Sequence, residues 1–254
     1  MTTDPLGVFK IDKELIQSVE FRSTKFDFTT DDITWNLGKG SSQRVIGKVD
    51  WIDSKAHIII AADGAINAEL CAAGLFEGCT NLEYIYGLEA LRVMDADRLD
   101  RMFYGCEKLS YIGFNGPSWY TSNITSMSEM FRECKSLTDP CLSIMKYWDT
   151  SSVTSMYAMF STCTSLENVD LSMIDTSSVT NMGFMFSACR KLRQVNVSSF
   201  NTSRVTNMEG MFRWCDLLEE PDLNGWNISK VSNHSNFMNE GMTIQGRPWK
   251  EFFR

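Results

Sequence analysis

Six cysteines, Cys79, Cys106, Cys134, Cys163, Cys189 and Cys215, each stand three residues after a phenylalanine, and pairs such as Met156 and Met159 precede them. Thioether and thiolate sulfur at such spacing suits Cu(I), and a total of eight cysteines allows a disulfide scaffold. Neither chemistry is the expected one. Met156, Met159, Phe160 and Cys163 fall at i, i+3, i+4 and i+7, the apolar stripe of one helix face, so core packing accounts for them. The six cysteines occupy one equivalent position, which leaves none a distinct partner for a bridge. Cys71 and Cys141 lie outside the series, and Cys141 is expected at the surface. Acid–base candidates are few: His57 sits in an apolar run read as a buried strand, and His234 in a degraded last repeat. The stretch "LGKGSS" lacks the glycine a phosphate loop needs four residues before its Gly-Lys pair. No catalytic residue, metal or cofactor is therefore expected.

The elements that would position these residues come from the repeat itself. Phe76, Phe103, Phe131, Phe160, Phe186 and Phe212 are spaced by 27, 28, 29, 26 and 26 residues, and a leucine follows each paired cysteine by three. A period in this range predicts an α/β solenoid of six to seven helix-plus-strand units. In each unit a short helix is expected after Thr154, Thr180 or Thr206 as cap, with Glu209 completing a capping box in the last case. A strand is expected around Val169 and Leu171, or Val195 and Val197. The turn back reads "DTSS", "NTSR" or "NISK", after a large apolar residue such as Trp148, Ile174, Phe200 or Trp226. Residues 1–70 read as a β-rich N-terminal cap with strands in "VEFRSTKFDF", "VIGKVDWI" and "AHIIIAA", joined through the connector "GKGSSQ". Residues 71–240 carry the repeats, and 241–254 a C-terminal cap whose Trp249, Phe252 and Phe253 have helical spacing.

The run "DTSSVTSMYAMFSTCTSLENVDLS" resembles the unit of the BspA-like leucine-rich repeats of bacterial surface proteins, which follow "DTSxVTxMxxMFxxCxxLxxLDLS". The similarity extends from about Cys71 to Asn239. The resemblance implies a leucine-rich-repeat-like fold and protein binding or adhesion, not catalysis.

A net charge of −8 argues against a grip on nucleic-acid phosphates and favours a basic protein partner. The charged opening "MTTDPLGVFKIDKE" has no apolar run of signal-peptide length, and neither a lipid-anchor cysteine nor a wall-anchoring tail is evident. The expected location is the cytoplasm, without membrane contact; the cell surface is the alternative. Strand positions facing outward are free of core duty, and they run from Tyr84, Tyr86 and Tyr111 to Asp139, Asp170, Glu220 and Asp222. The tyrosines, with Tyr147 and Pro117 on inserted loops, are expected to anchor a partner. Asp139, Asp170 and Asp222 are expected to steer it. The expected function is a non-enzymatic protein-binding solenoid inside the cell that occludes or scaffolds one partner, for instance an inhibitor carried by a mobile element and aimed at a host complex. The alternative is a surface adhesin or host-protein-binding domain.

Overall fold

The computed structural model of the protein describes residues 11–22, 33–35, 45–61, 66–67, 72–93, 96–114 and 119–254. Its strands are β1 (Ile16–Arg22), β2 (Ile33–Trp35), β3 (Val45–Ile52), β4 (Lys55–Ala61), β5 (Ile66–Asn67), β6 (Tyr84–Tyr86), β7 (Leu91–Arg92), β8 (Tyr111–Ile112), β9 (Asn168–Asp170), β10 (Gln194–Asn196), β11 (Thr243–Ile244) and β12 (Arg247–Pro248). Among the described residues one α-helix, α1 (Trp249–Phe252), follows. Six strands form one mixed sheet in the order β2-β3-β4-β1-β6-β8. Within it β2, β3 and β4 pair antiparallel, while β4-β1, β1-β6 and β6-β8 are parallel. The β3–β4 turn has Asp53 and Ser54 at φ 49° and 64°, the left-handed pair that matches hairpin twist. β9 and β10 make a separate parallel pair.

The α/β solenoid of helix-plus-strand units expected from the sequence is not the fold of this chain. Among the described residues the repeats hold no α-helix, and the architecture is strands, sheets and turns. The Met-x-x-Met-Phe-x-x-Cys segments are turns because two residues in each, four apart, sit in the left-handed region. These are Arg101 and Gly105, Glu129 and Glu133, Ala158 and Thr162, Phe184 and Ala188, Gly210 and Trp214. A left-handed residue every fourth position breaks the i to i−4 ladder that defines a helix. The N–H of Phe186 would reach Met182 in a helix; it donates instead to Met211 O at 2.9 Å, one repeat away. Met185, Ser187 and Cys189 donate three residues back, while Met182, Phe184 and Ala188 donate to the next repeat. The same alternation recurs from Leu99 to Cys106.

The expected cap threonines therefore have another task. The hydroxyls of Thr154, Thr180 and Thr206 donate to the threonine carbonyl of the preceding repeat at 3.0–3.2 Å. In "DTS", the carboxylate of Asp149 or Asp175 accepts from the N–H two residues on, closing the turn. The buried Thr150 donates to Asp175 O and accepts from Asp175 N, and Thr176 and Thr202 repeat this with Asn201 and Asn227. These buried threonine hydroxyls are thus paired repeat to repeat. Ion pairs from Arg101 to Glu77 at 2.6 Å and Glu129 at 3.0 Å tie three repeats along the turn side.

Two repeats also lack a strand. Ile85, Ile112, Val169 and Val195, three residues after the repeat leucine, are buried in β6, β8, β9 and β10. The equivalent positions after Leu137 and Leu218 are Pro140 and Pro221. Proline offers no N–H to a ladder. At the first, the chain takes a 3₁₀ path over Asp139–Tyr147; at the second no strand forms.

The core follows the phenylalanines. Phe76, Phe103, Phe131, Phe160, Phe186 and Phe212 are fully buried, with successive centroids 5.2–5.7 Å apart and planes within 15° of parallel. Phe21 of β1 meets Phe76 edge-on at 6.2 Å, and Phe237 meets Phe212 edge-on at 5.5 Å. Edge-to-face contacts thus terminate the column at both ends. Phe253, just beyond α1, then packs edge-on against Phe237 at 5.0 Å.

Truncating Phe186 to alanine opens a cavity between two repeats and is expected to cost about 3–5 kcal/mol; a denaturant midpoint equal to the parent's would show that the column is not core. Thr162 is β-branched at φ 65°. Thr162→Gly is expected to raise stability by up to about 1 kcal/mol by relieving that backbone, and a lowered melting temperature would contradict it.

Candidate interaction face

Tyr84 and Tyr86 point outward because Ile85 between them points into the core. β8 lies parallel with Tyr111 in register with Tyr84 and Ile112 with Ile85. The three rings are 36–47% exposed and touch one another: Tyr84 to Tyr86 at 6.3 Å, Tyr86 to Tyr111 at 5.4 Å. Glu83 beside Tyr84 holds its phenol above the usual value, by its charge and by a hydrogen bond.

The face continues where the sequence reading did not place it. β1 inserts between β4 and β6, so Ser18 and Glu20 register with Tyr84 and Tyr86, and His57 registers with Ser18. Asp50 is opposite His57 on β3. His57, expected to be buried, is half-buried on this outward side, and its Nδ1 lies 2.8 Å from Ser18 Oγ. The Glu20 carboxylate accepts from Nε and Nη2 of Arg22, at 2.7 and 2.9 Å. Period-two alternation in β1 and β4 marks which side chains face out, but only the long-range parallel pairing puts them beside the tyrosines.

The acidic candidates lie apart from this row and hold up the backbone. Asp139 accepts from Glu167 N at 3.3 Å and Asn168 N at 3.0 Å, doing for β9 what a neighbouring strand's carbonyls would do. Asp170 accepts from Ser172 N and Asn196 Nδ2, both at 2.9 Å; the Ser172 bonds foremost keep its carboxyl below the usual range. Asp222 accepts from Asn224 N at 2.9 Å. Tyr147 stacks on Phe114 at 5.6 Å, across a cleft from the tyrosine row. Pro117 and Cys71 lie outside the described residues. Cys141, expected at the surface, is buried and donates its thiol to Ser110 O at 2.8 Å. His234 stacks on Phe253 at 4.4 Å.

The repeat cysteines are buried in the core. The thiols of Cys106, Cys134, Cys163, Cys189 and Cys215 each donate to a phenylalanine carbonyl of an earlier repeat at 3.0–3.1 Å. Burial pushes all five upward, Cys215 to about 12. No cluster of three or more His, Cys, Asp or Glu poised for a metal occurs among the described residues, and no helix there is long and apolar enough to cross a membrane.

Fold and face together define a repeat-built, mainly β and turn protein with an outward tyrosine row. Over residues 72–145 and 141–249 the chain matches the family described as "Mycoplasma protein of unknown function, DUF285", and it belongs to that family. No curated protein and no solved structure matches it.

The thiols give a pH dependence whose sign is fixed. A folded-state pKa raised above the unfolded value of about 8.5 means the unfolded chain loses protons first, so stability is complete below that pH and falls above it. Each of the five buried thiols is expected to subtract from stability as the pH rises above the unfolded value. Melting temperatures should therefore drop steeply above pH ~9, and native thiols should alkylate slowly; a flat profile with rapid labelling would overturn this.

Proposed function

We propose that the chain is a non-enzymatic protein-binding module whose partner docks on the outward face of the six-stranded sheet. The observation that carries this reading is the row of Tyr84, Tyr86 and Tyr111, half-exposed and in ring contact along the row. A tyrosine buries a large ring while keeping a hydroxyl for a hydrogen bond, which makes it a common interface anchor. Core packing does not require these rings, since Ile85 and Ile112 fill the inward positions. The three exposed rings adjoin one another rather than standing singly. Such a module acts by occluding or scaffolding its partner, and an inhibitor working inside the cell is the form we favour. The resemblance of its repeat to BspA-like surface proteins supports the adhesin as second reading, and fractionation of cells producing the native protein separates the two.

The binding test compares affinity capture by the parent chain with capture by Tyr86→Ala and Tyr111→Ala. Both residues are exposed, so the variants should fold, and each should raise the dissociation rate about 30-fold, the equivalent of about 2 kcal/mol. A partner held equally by parent and variants, or lost on changes along the turn side at Arg101 or Arg132, would place the interface elsewhere.

A further inference from the structure

The alternation that builds the stack runs in one direction, because each repeat donates its sideways N–H groups to carbonyls of the repeat that follows. Met208 donates to Asn233 O at 2.7 Å, Gly210 to Ser235 O at 2.9 Å and Phe212 to Phe237 O at 2.8 Å. The residues that continue the pattern are His234, Asn236 and Met238, and Asn236 keeps at φ 54° the left-handed backbone that Gly210 has at 55°. Among the described residues nothing accepts from these three N–H groups. The tail covers the last rings, Phe253 packing on Phe237 and stacking on His234, without bringing the row a carbonyl. It adds another unused donor, since the indole N–H of Trp249, a residue 5% exposed, is buried without an acceptor. Met238 is buried too. Buried N–H groups left unpaired are rare and costly. The other end of the stack is closed: Lys13 Nζ donates to Glu77 O at 2.9 Å, and Phe21 ends the ring column. The C-terminal end is thus short of acceptors.

What meets that shortage must accept without donating. A backbone strand brings an N–H with each carbonyl, and an amide side chain brings NH₂ with its oxygen; a carboxylate has two oxygens and no hydrogen. The molecule already fills such gaps with side-chain oxygens. Asp139 accepts from Glu167 N and Asn168 N where a strand is missing. At this same last boundary Asn239 Oδ1 accepts from Trp214 N at 2.6 Å, and its Nδ2 then donates to Asp216. The carboxylates on either side of the row are turned elsewhere: Glu209 accepts from Asn233 Nδ2 at 2.9 Å, and Glu240 from Lys250 Nζ at 2.7 Å. Over residues 226–254 four bases, Lys230, Arg247, Lys250 and Arg254, stand against Glu240 and Glu251, in a chain whose net charge is −8. We infer that this end of the stack, at His234 and Asn236, binds an acidic segment of a partner protein. Carboxylates on alternate residues of that extended segment face one way and accept the N–H groups that a following repeat would take. This is a second interaction surface, to which the tyrosine row contributes no residue.

The test titrates the peptide acetyl-Asp-Ser-Asp-Ser-Asp-amide into the isotope-labelled full chain, followed by NMR, with the same peptide carrying Asn for Asp as control. The acidic peptide is expected to shift the backbone amide signals of His234 and Asn236 and to slow their exchange with solvent. It should bind about ten-fold or more tightly than the control, because charged acceptors make the stronger hydrogen bonds. Ser235 is exposed between the two N–H groups. Ser235→Asp, which puts a like charge there, should weaken the acidic peptide about ten-fold, and Ser235→Asn should leave it bound. Equal binding of the two peptides by the parent chain, which needs no variant to fold, overturns the inference. So does the absence of any shift up to the peptide's solubility limit, or shifts confined to other residues. Inorganic phosphate bound as tightly as the peptide would assign the end to small anions and overturn it as well. Tyr86→Ala should leave the peptide's affinity unchanged; a loss on that change would put the peptide on the tyrosine face instead.

Discussion

In each Met-x-x-Met-Phe-x-x-Cys segment alternate N–H groups bond to the next repeat, and the rest bond three residues back within their own. Everything else in the molecule is arranged around that alternation. A segment that donates half its N–H groups sideways cannot be an α-helix, and it is incomplete without a neighbour. The neighbour must sit at the distance of a hydrogen bond, which fixes phenylalanine centroids near 5.5 Å and brings the thiols from Cys106 to Cys215 in the series onto earlier phenylalanine carbonyls. The left-handed residues are the conformational cost of turning alternate peptides outward. Glycine meets it at Gly74, Gly78, Gly105 and Gly210; elsewhere the inter-repeat bonds must hold residues such as Thr162 and Phe184 in place.

The strand side obeys a looser rule, and the function is proposed to reside there. A strand forms where the residue after the leucine's turn can donate, and fails where it is proline. Pro140 divides the strands into a six-stranded sheet and the β9–β10 pair, and pushes the chain outward over nine residues. The carboxylate of Asp139 replaces the missing partner for Glu167 and Asn168. One residue type thus both interrupts a sheet and opens the cleft beside its last strand.

Much of this was legible in the sequence, but not the secondary structure. The Phe-x-x-Cys-x-x-Leu spacing identified the buried columns, because burial depends only on which side chains return to the same side. It could not distinguish a helix from a chain of turns that returns them equally well. The distinguishing signal was present two residues before and after the phenylalanine: glycine at 74, 78, 105 and 210 is a poor choice inside a helix and a good one at positive φ. The proline at the strand centre was equally readable. The turn-closing duty of the acids is not legible in the sequence, because a carboxylate that closes a turn and one that faces a partner occupy the same outward position. The Ser18–His57 pair was hidden for another reason, since no local pattern announces that β1 enters the sheet between β4 and β6.

Where binding residues can lie follows from what remains uncommitted. Met, Phe, Cys and Leu fill the core; the DTS threonines and the following Val-Thr threonines carry inter-repeat bonds; the turn acids close their own loops. A substitution at any of these positions disturbs two repeats at once, because each group is shared across the boundary. The outward strand positions share nothing with the core, and at Tyr84, Tyr86 and Tyr111 the chain places large rings exactly where small polar residues would serve the fold as well, as Asn168, Gln194 and Asn196 do in β9 and β10. The contrast between two strips of the same repeat, one aromatic, the other amide-rich, separates what the fold requires from what it leaves available for a partner.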